Sequence, residues 1–496
     1  MAVDLARIAR STGEHNKREA RRMLADRMGK LRGLPQKWGQ SLSLSADEEA
    51  GEQFEVLTES AEPLPFKIIE TLLESHWGKP WNEVLTEISP TGLAASLGQV
   101  HKGRLHDGRE VAIKVAYPGI REAVMADLRI MGWLGKAGER VMTGFEMGAY
   151  RQVLLTDLEE ELDYRLEAQQ QIRYRSLVAS HTPICVPEVV TEFSGESVLV
   201  TVWEDAVDIK QAATWPQHLK QEIGTLLARH FLHMFFDHGM IHADPHKGNY
   251  GFRLTPQGVT VVLYDYGSVA KFPKKIRHLL LRLILMTASL QGDPMSLMEG
   301  LGFNGELLEP LRAKLPALCQ VLFEPLVTQG MYPHSEWHRN TRVKQILGED
   351  VWNFRMSGPA DMVFLVRGFQ GIFYYLNRLN VNVHWKALLD EVLPLHLAEV
   401  LAMRLPKSKS GSGFEGLARN LCVRLTERGE QKVSLKFPAN AVERLESLMT
   451  PEVVASVAAK GISLEALIHQ ARSSGFTPGT LFTLSQGERS LHVWLE

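Results

Sequence analysis

The chain has 496 residues, 45% hydrophobic and 23% charged, an ordinary folded composition whose length predicts two or three domains rather than one core. A formal net charge of -3 leaves no strong positive field around the molecule, so no nucleic-acid partner is expected. Three cysteines, Cys185, Cys319 and Cys422, stand far apart, which argues against a disulfide framework or a paired-cysteine metal site and suits a reducing compartment.

Residues 1–30 read as a basic helix, densest over 16–30, without the apolar core of a secretory leader. Its charged face suits either solvent or an anionic lipid surface. Gly33, Pro35 and Gly39 punctuate the next stretch, an acidic segment covers 47–52, and Pro63 and Pro65 precede a helix expected at 66–74. Strand-like runs at 99–105 and 110–115 flank His106-Asp107-Gly108-Arg109, a tight-turn sequence. A helical region follows Pro118. A single charged helix is expected over about 152–176, where apolar and tyrosyl residues recur at three and four positions. Strands are expected at 186–192 and 197–201, an apolar helix near 221–238, and a hairpin at 250–254 and 259–264 around Pro256-Gln257-Gly258. Residues 270–405 read as helical, and the apolar run 278–290 is too short to span a membrane and carries Arg282. The segment 407–413, KSKSGSG, is a linker. Beyond it, strands at 421–425, 432–437 and 490–495 with two helical patches predict a small α+β appendage, to which no chemistry is assigned.

Three stretches carry the chemistry. The first is His242-Ala243-Asp244-Pro245-His246-Lys247-Gly248-Asn249, and the second is Tyr264-Asp265-Tyr266-Gly267. Asp244 could orient or deprotonate a phosphoryl acceptor, while Asn249 and Asp265 could coordinate Mg2+. The third is the strand Val111-Ala112-Ile113-Lys114-Val115, which follows the small-residue loop Ala94-Ala95-Ser96-Leu97-Gly98-Gln99. Small side chains there let backbone N–H groups approach phosphate oxygens, with Lys114 in reach of the phosphates. The loop is not GxxxxGK[ST], so an ordinary P-loop is not expected. A phosphate-binding lysine needs a carboxylate to hold it, and Glu160, Asp163 and Glu167 share one face of the charged helix while Glu161 turns partly away. A competing reading makes His242, Asp244, His246 and Asp265 the ligands of a metal hydrolase, but it leaves Lys114 and Asn249 without a role.

Together these pieces resemble the ABC1/AarF/UbiB family of atypical protein-kinase-like proteins over about residues 25–400. Lys37-Trp38-Gly39-Gln40 matches the KxGQ motif, residues 94–101 match its alanine-rich loop, and VAIKV at 111–115 matches the nucleotide-lysine strand. Glu161-Leu162-Asp163 matches ExD, and HADPHKGN and YDYG complete the series. The resemblance implies that Lys114 and Glu167 form the phosphate-orienting ion pair, that Asp244 is the catalytic aspartate and that Asn249 and Asp265 bind Mg2+. It also implies that Ala94, Ala95, Ser96, Gly98 and Gln99 adjoin the nucleotide. Lys37 and Gln40 would lie in a helical cover over the cleft, with Lys37 near Glu161 and Asp163 alongside. Lys247 stands where proline is usual and Tyr266 where phenylalanine is usual, and neither change removes a ligand.

The expected fold is therefore α+β, an atypical kinase-like bilobal fold. Residues 1–90 form the N-terminal helical extension, 91–206 the N-lobe with a helical insertion, 207–405 the helical C-lobe, 406–414 a linker and 415–496 the appendage. The implied activity is a Mg2+-dependent ATPase or atypical kinase using ATP or ADP in ubiquinone or other isoprenoid-lipid metabolism. A catalytically weak nucleotide-gated scaffold is the alternative, and an ordinary serine/threonine kinase is disfavoured by the cover. The resemblance also implies an isoprenoid lipid or quinone precursor as partner. With no hydrophobic C-terminal spans in the sequence, a cytoplasmic location, or one peripheral to the inner face of a membrane, is expected.

Overall fold

A computed structural model describes residues 63–95, 97–122, 124, 156, 159–178, 182–403, 417–418, 420–428, 430–473 and 476–496. The expected basic helix at 1–30, the KxGQ residues Lys37 and Gln40, Ser96 and the linker 407–413 lie outside the described residues. The chain divides into two compact units.

In the first unit, helix α1 (Phe66–Trp77) precedes strands β1 (Leu85–Ile88), β2 (Leu93–Ala94), β3 (Gly98–Leu105) and β4 (Glu110–Ala116). The β3–β4 turn closes as expected, with Gly108 at a φ of 91°. Strand β6 (Val198–Val202) completes an antiparallel sheet in the order β1-β3-β4-β6, with β2 paired to β3. Alternation decides which face is the core. Val111, Ile113 and Val115 are buried against Ile69 and Leu73, an i, i+4 pair on α1, so Ala112 and Lys114 point to the opposite face.

Helix α2 (Tyr164–Leu177) packs on that opposite face, where Tyr164 and Ala168 meet Leu199, the residue paired with Lys114 across β4 and β6. The single helix expected over 152–176 is broken here. Asp163 leaves the helix with extended backbone and accepts from Arg165 N, so a new helix starts at Tyr164. The strand expected at 186–192 is also absent. Only β5 (Ile184–Cys185) pairs, parallel to β9 (Gly258–Leu263), because Pro187 has no N–H to continue a ladder; Val189 keeps one isolated bridge.

Helix α3 (Gln217–His233) leads toward β7 (Met240–His242), and β8 (Tyr250–Thr255) forms the expected hairpin with β9. Strand β10 (Val269–Lys271) then returns antiparallel to β7, pairing Val269 with His242. Helix α4 (Met362–Leu379) closes this unit against α3, with Phe231 and Phe369 rings 5.7 Å apart.

The second unit is helical over residues 274–357 and 385–402. It also holds the appendage, a four-stranded antiparallel sheet in the order β12-β11-β14-β13 with two helices, Pro451–Ala459 and Leu464–Ser473. Its strands are β11 (Asn420–Glu427), β12 (Glu430–Pro438), β13 (Gly479–Gln486) and β14 (Arg489–Leu495). The sequence reading missed β13, whose alternation is interrupted by a register shift between Thr480 and Phe482. Among the described residues no helix is long and apolar enough to cross a membrane.

Candidate active site

Lys114 ties its strand to helix α2 and to the YDYG turn. Its Nζ donates to Glu167 Oε1 and Oε2 at 2.9 and 2.8 Å and to Asp265 Oδ2 at 2.8 Å. The Tyr164 ring lies beside it, 4.9 Å from Nζ to the ring centroid. Glu167 sits in the first turn of α2 with a fully buried side chain, while Asp265 keeps 24% of its side chain exposed. Burial, then repulsion from Asp265, raises Glu167 to a pKa of about 7 against the opposing pull of Lys114.

The pairing of β7 with β10 sets Asp244 and Asp265 on neighbouring loops. Ala243 N donates to Ser268 O at 2.9 Å, and Tyr264 N to Asn249 O at 3.0 Å. His242 Nε2 bonds the Asp265 carbonyl, and Gly267 N donates to Asp265 Oδ1 at 2.9 Å, so the metal candidate is held from both ends. Burial lowers the His242 pKa, keeping the ring neutral.

Asp244 is only 5% exposed. Asn249 Nδ2 donates to its Oδ2 at 3.0 Å, and Arg367 Nη2 of α4 donates to its Oδ1 at 2.5 Å. Arg367, Gly371 and Tyr375 form one stripe at four-residue spacing along α4, all directed at the loop of residues 244–249. Tyr375 OH donates to His246 O at 3.1 Å. At Gly371 a Cβ would stand 1.9 Å from Pro245 Cβ, so only glycine lets the loop lie on this helix. None of the stripe was anticipated from sequence. The detectable signal was Arg367 itself, the one charge in the largely apolar run MVFLVRGFQGIF.

Ala94 and Ala95 form a tight hairpin with β3, Ala95 N donating to Gly98 O at 2.8 Å. Gly98 passes so close to β4 that a Cβ would meet Val115 O at 2.3 Å. Gln99 needs correction as a nucleotide contact. Its side chain alternates to the core face, is 0% exposed, accepts from Leu64 N at 2.7 Å and bonds His101 Nε2 at 2.8 Å. Any contact it makes with a nucleotide is confined to its backbone. Asp163 is drawn into capping α2 and pairing with Arg165, which lowers its pKa. Glu161 is buried and lies against Gly267.

The donor set fits Mg2+. Asn249 commits its amide N–H groups to Asp244, so its amide oxygen is the atom that could take a metal, and Asp265 offers a partly exposed carboxylate. One carboxylate and one amide oxygen suit an ion that completes its shell with phosphates and water. Among the described residues, no cluster of three or more His, Cys, Asp or Glu side chains could hold a metal alone. The hydrolase set His242, Asp244, His246 and Asp265 therefore lacks the geometry it needs.

Residues 56–299 match the family model of the ABC1 atypical kinase-like domain. The mitochondrial atypical kinase coq-8 of Caenorhabditis elegans is 25% identical over 377 residues, covering 73% of this chain and 49% of that protein. The mitochondrial atypical kinase COQ8B of Rattus norvegicus is 25% identical over 388 residues, 76% of this chain and 72% of its own length. The chain thus spans about half the length of the nematode relative. A Mycobacterium tuberculosis protein solved in complex with erythromycin shares 27% identity at a TM-score of 0.50, covering 72% of this chain and 90% of that one. The architecture is mixed α+β, kinase-like and bilobal.

Proposed function

This chain belongs to the ABC1/AarF/UbiB family of atypical kinases, and from that premise we propose that it is a Mg2+-dependent ATPase or atypical kinase serving ubiquinone or another isoprenoid-lipid metabolism. The observation that carries the reading is the bonding of Lys114 to both Glu167 and Asp265, which ties strand, helix and YDYG turn into one polar pocket. Lys114 orients the α and β phosphates, and Glu167 holds it against its own flexibility. The backbone of the Ala94–Gly98 hairpin borders the nucleotide. Asp265 and Asn249 would hold Mg2+, which would neutralise charge on the phosphates. Asp244 orients the acceptor hydroxyl or water. Its bond to Arg367 favours the ionised carboxylate, which suits positioning in a loose phosphoryl-transfer transition state better than early proton abstraction.

Lys37 and Gln40 belong to this proposal as a cover over the cleft, with Glu161 and Asp163 as their counterparts. Peripheral membrane attachment through the basic N-terminal segment belongs to it as well. The lipid pathway rests on the family association alone.

Steady-state phosphate release tests the reading. Asp244→Asn is expected to lower Mg2+-dependent ATP turnover about 10²–10⁴-fold, with nucleotide affinity kept within a few-fold. Equal turnover in wild type and variant would reject catalysis through Asp244 and favour the scaffold. Isoprenoid lipid extract should stimulate the wild type, and indifference to it would remove the lipid assignment.

A further inference from the structure

The connector that leaves the sheet after β6, residues 203–207, is pinned at both ends. Trp203 N donates to Glu110 O at 2.9 Å, and Val207 exchanges two main-chain bonds with Phe252 of β8, at 2.8 and 2.9 Å. Between these points, among the described residues, the main chain of 204–206 receives a single bond: Tyr264 OH donates to Glu204 O at 3.1 Å. Gly251 of β8 lies against the Tyr264 ring. A Cβ there would stand 2.5 Å from the hydroxyl and 2.7 Å from Ala206 Cβ, so only glycine leaves room for this contact. The Glu204 carboxylate is held as well, by Arg253 Nη1 at 2.5 Å.

The connector borders the nucleoside half of a bound nucleotide. Lys114 and the Ala94–Gly98 hairpin take the phosphates, and Gly98 pairs with Ala116 at one end of β4. The nucleoside then runs the other way along β4, past Ala112, which shares the face of Lys114 about 7 Å back along the strand. Ala112 pairs with Thr201 and Val111 with Val202, so the next residue, Trp203, opens the connector beside that path. Tyr264 also adjoins the phosphate end, since its N–H donates to Asn249 O at 3.0 Å and Asp265 follows it directly. Asp265 does not depend on the hydroxyl, because His242 holds its carbonyl while Gly267 N and Lys114 Nζ hold its carboxylate. Removing the hydroxyl therefore loosens the connector and leaves the metal candidate in place.

Resting on the magnesium-nucleotide reading above, we infer that Tyr264 is a positioning residue for the nucleoside end of the nucleotide, its hydroxyl fixing the connector at Glu204. A connector ordered before the nucleotide arrives spares binding the cost of ordering it. The first tyrosine of YDYG thereby contributes to nucleoside affinity, while the aspartate beside it serves the metal.

Titration calorimetry on the full-length protein tests this with wild type, Tyr264→Phe and Tyr174→Phe. One series measures ADP affinity at saturating Mg2+. The other measures the Mg2+ midpoint with ADP held at a fixed multiple of each protein's Kd. Tyr264→Phe is expected to weaken ADP binding roughly 2- to 12-fold, the range of one net hydrogen bond, with the Mg2+ midpoint unchanged. Tyr174→Phe removes a hydroxyl that bonds His230 Nε2 of α3 at 2.8 Å and should leave ADP affinity as it is. Unchanged ADP affinity in Tyr264→Phe, or an equal loss in both variants, would overturn the inference while leaving the functional reading intact. A shifted Mg2+ midpoint in Tyr264→Phe would overturn it too, by assigning the hydroxyl to the metal end. Wild-type protein that binds no magnesium ADP would overturn both.

Discussion

Two buried charge clusters, one in each compact unit, show what separates a site from a brace. In the first unit Lys114 stands between Glu167 and Asp265, one ammonium in contact with two carboxylates, and Asp265 keeps an exposed edge. In the second, Glu324 pairs with Arg342 while Arg472 of the appendage reaches Glu443 at 3.4 Å and Glu336 at 3.6 Å. Tyr332 OH donates to Glu324 at 3.1 Å, and Arg342 Nη2 donates to Arg472 O at 2.8 Å. Glu324 and Arg342 have only 8% and 7% of their side chains exposed, and the two buried carboxylates, Glu324 and Glu443, each meet a guanidinium, while Glu336 is exposed. This second cluster is charge-matched where it is buried, a joint fixing the appendage to the helices of its unit. The first keeps the Asp265 carboxylate partly open to solvent, where a cation and its phosphates can enter.

Removing one partner from each cluster should therefore have opposite signatures. Arg342→Ala strands Glu324 in a buried place and is expected to cost about 3–5 kcal/mol of stability, with ATP turnover per folded molecule unchanged. Burial raises the Glu167 carboxyl to a pKa of about 7, so Glu167→Gln imitates a form already populated at neutral pH; the urea midpoint should move little while nucleotide affinity falls about tenfold, the loss expected of a charged hydrogen bond. A large stability loss in Glu167→Gln with binding intact would erase the distinction.

A smaller effect appears with pH. Burial raises the Glu443 pKa from 4.5 to about 7 despite Arg472. Between those values the unfolded chain releases a proton that the folded chain retains, so this contribution is complete below pH 4.5 and is lost as pH rises through 7. Glu443→Gln should remove roughly 1–3 kcal/mol of that decline between pH 5 and 7.5, read from urea midpoints. Glu167, raised in the same direction, leaves the remainder of the slope. An unaltered slope in Glu443→Gln would show that the joint does not titrate there.

The site was legible in sequence where local periodicity determines direction. Alternation in VAIKV turns Lys114 away from the core, and the same period-two logic, applied one strand earlier, would have placed Gln99 inside. The helix carrying Glu167 was visible, but its start was not, because a charged run conceals a cap such as Asp163. Arg367 was illegible for a different reason. It meets Asp244 across 123 residues, a contact decided by how α4 crosses the 244–249 loop rather than by anything near either residue. Likewise the joint of Arg342 and Arg472 spans 130 residues and left no mark beyond two arginines in short helices.

The central claim is that Asp265, partly exposed beside Lys114, takes a metal together with its nucleotide. Equilibrium binding of fluorescent ADP, with and without Mg2+, to wild type and Asp265→Asn tests it most directly. The account predicts Mg2+-dependent binding in the wild type, its loss in Asp265→Asn, and an unfolding midpoint for the variant no lower than that of the parent. Mg2+-dependent binding that survives in Asp265→Asn, or a marked loss of stability in its place, would contradict it.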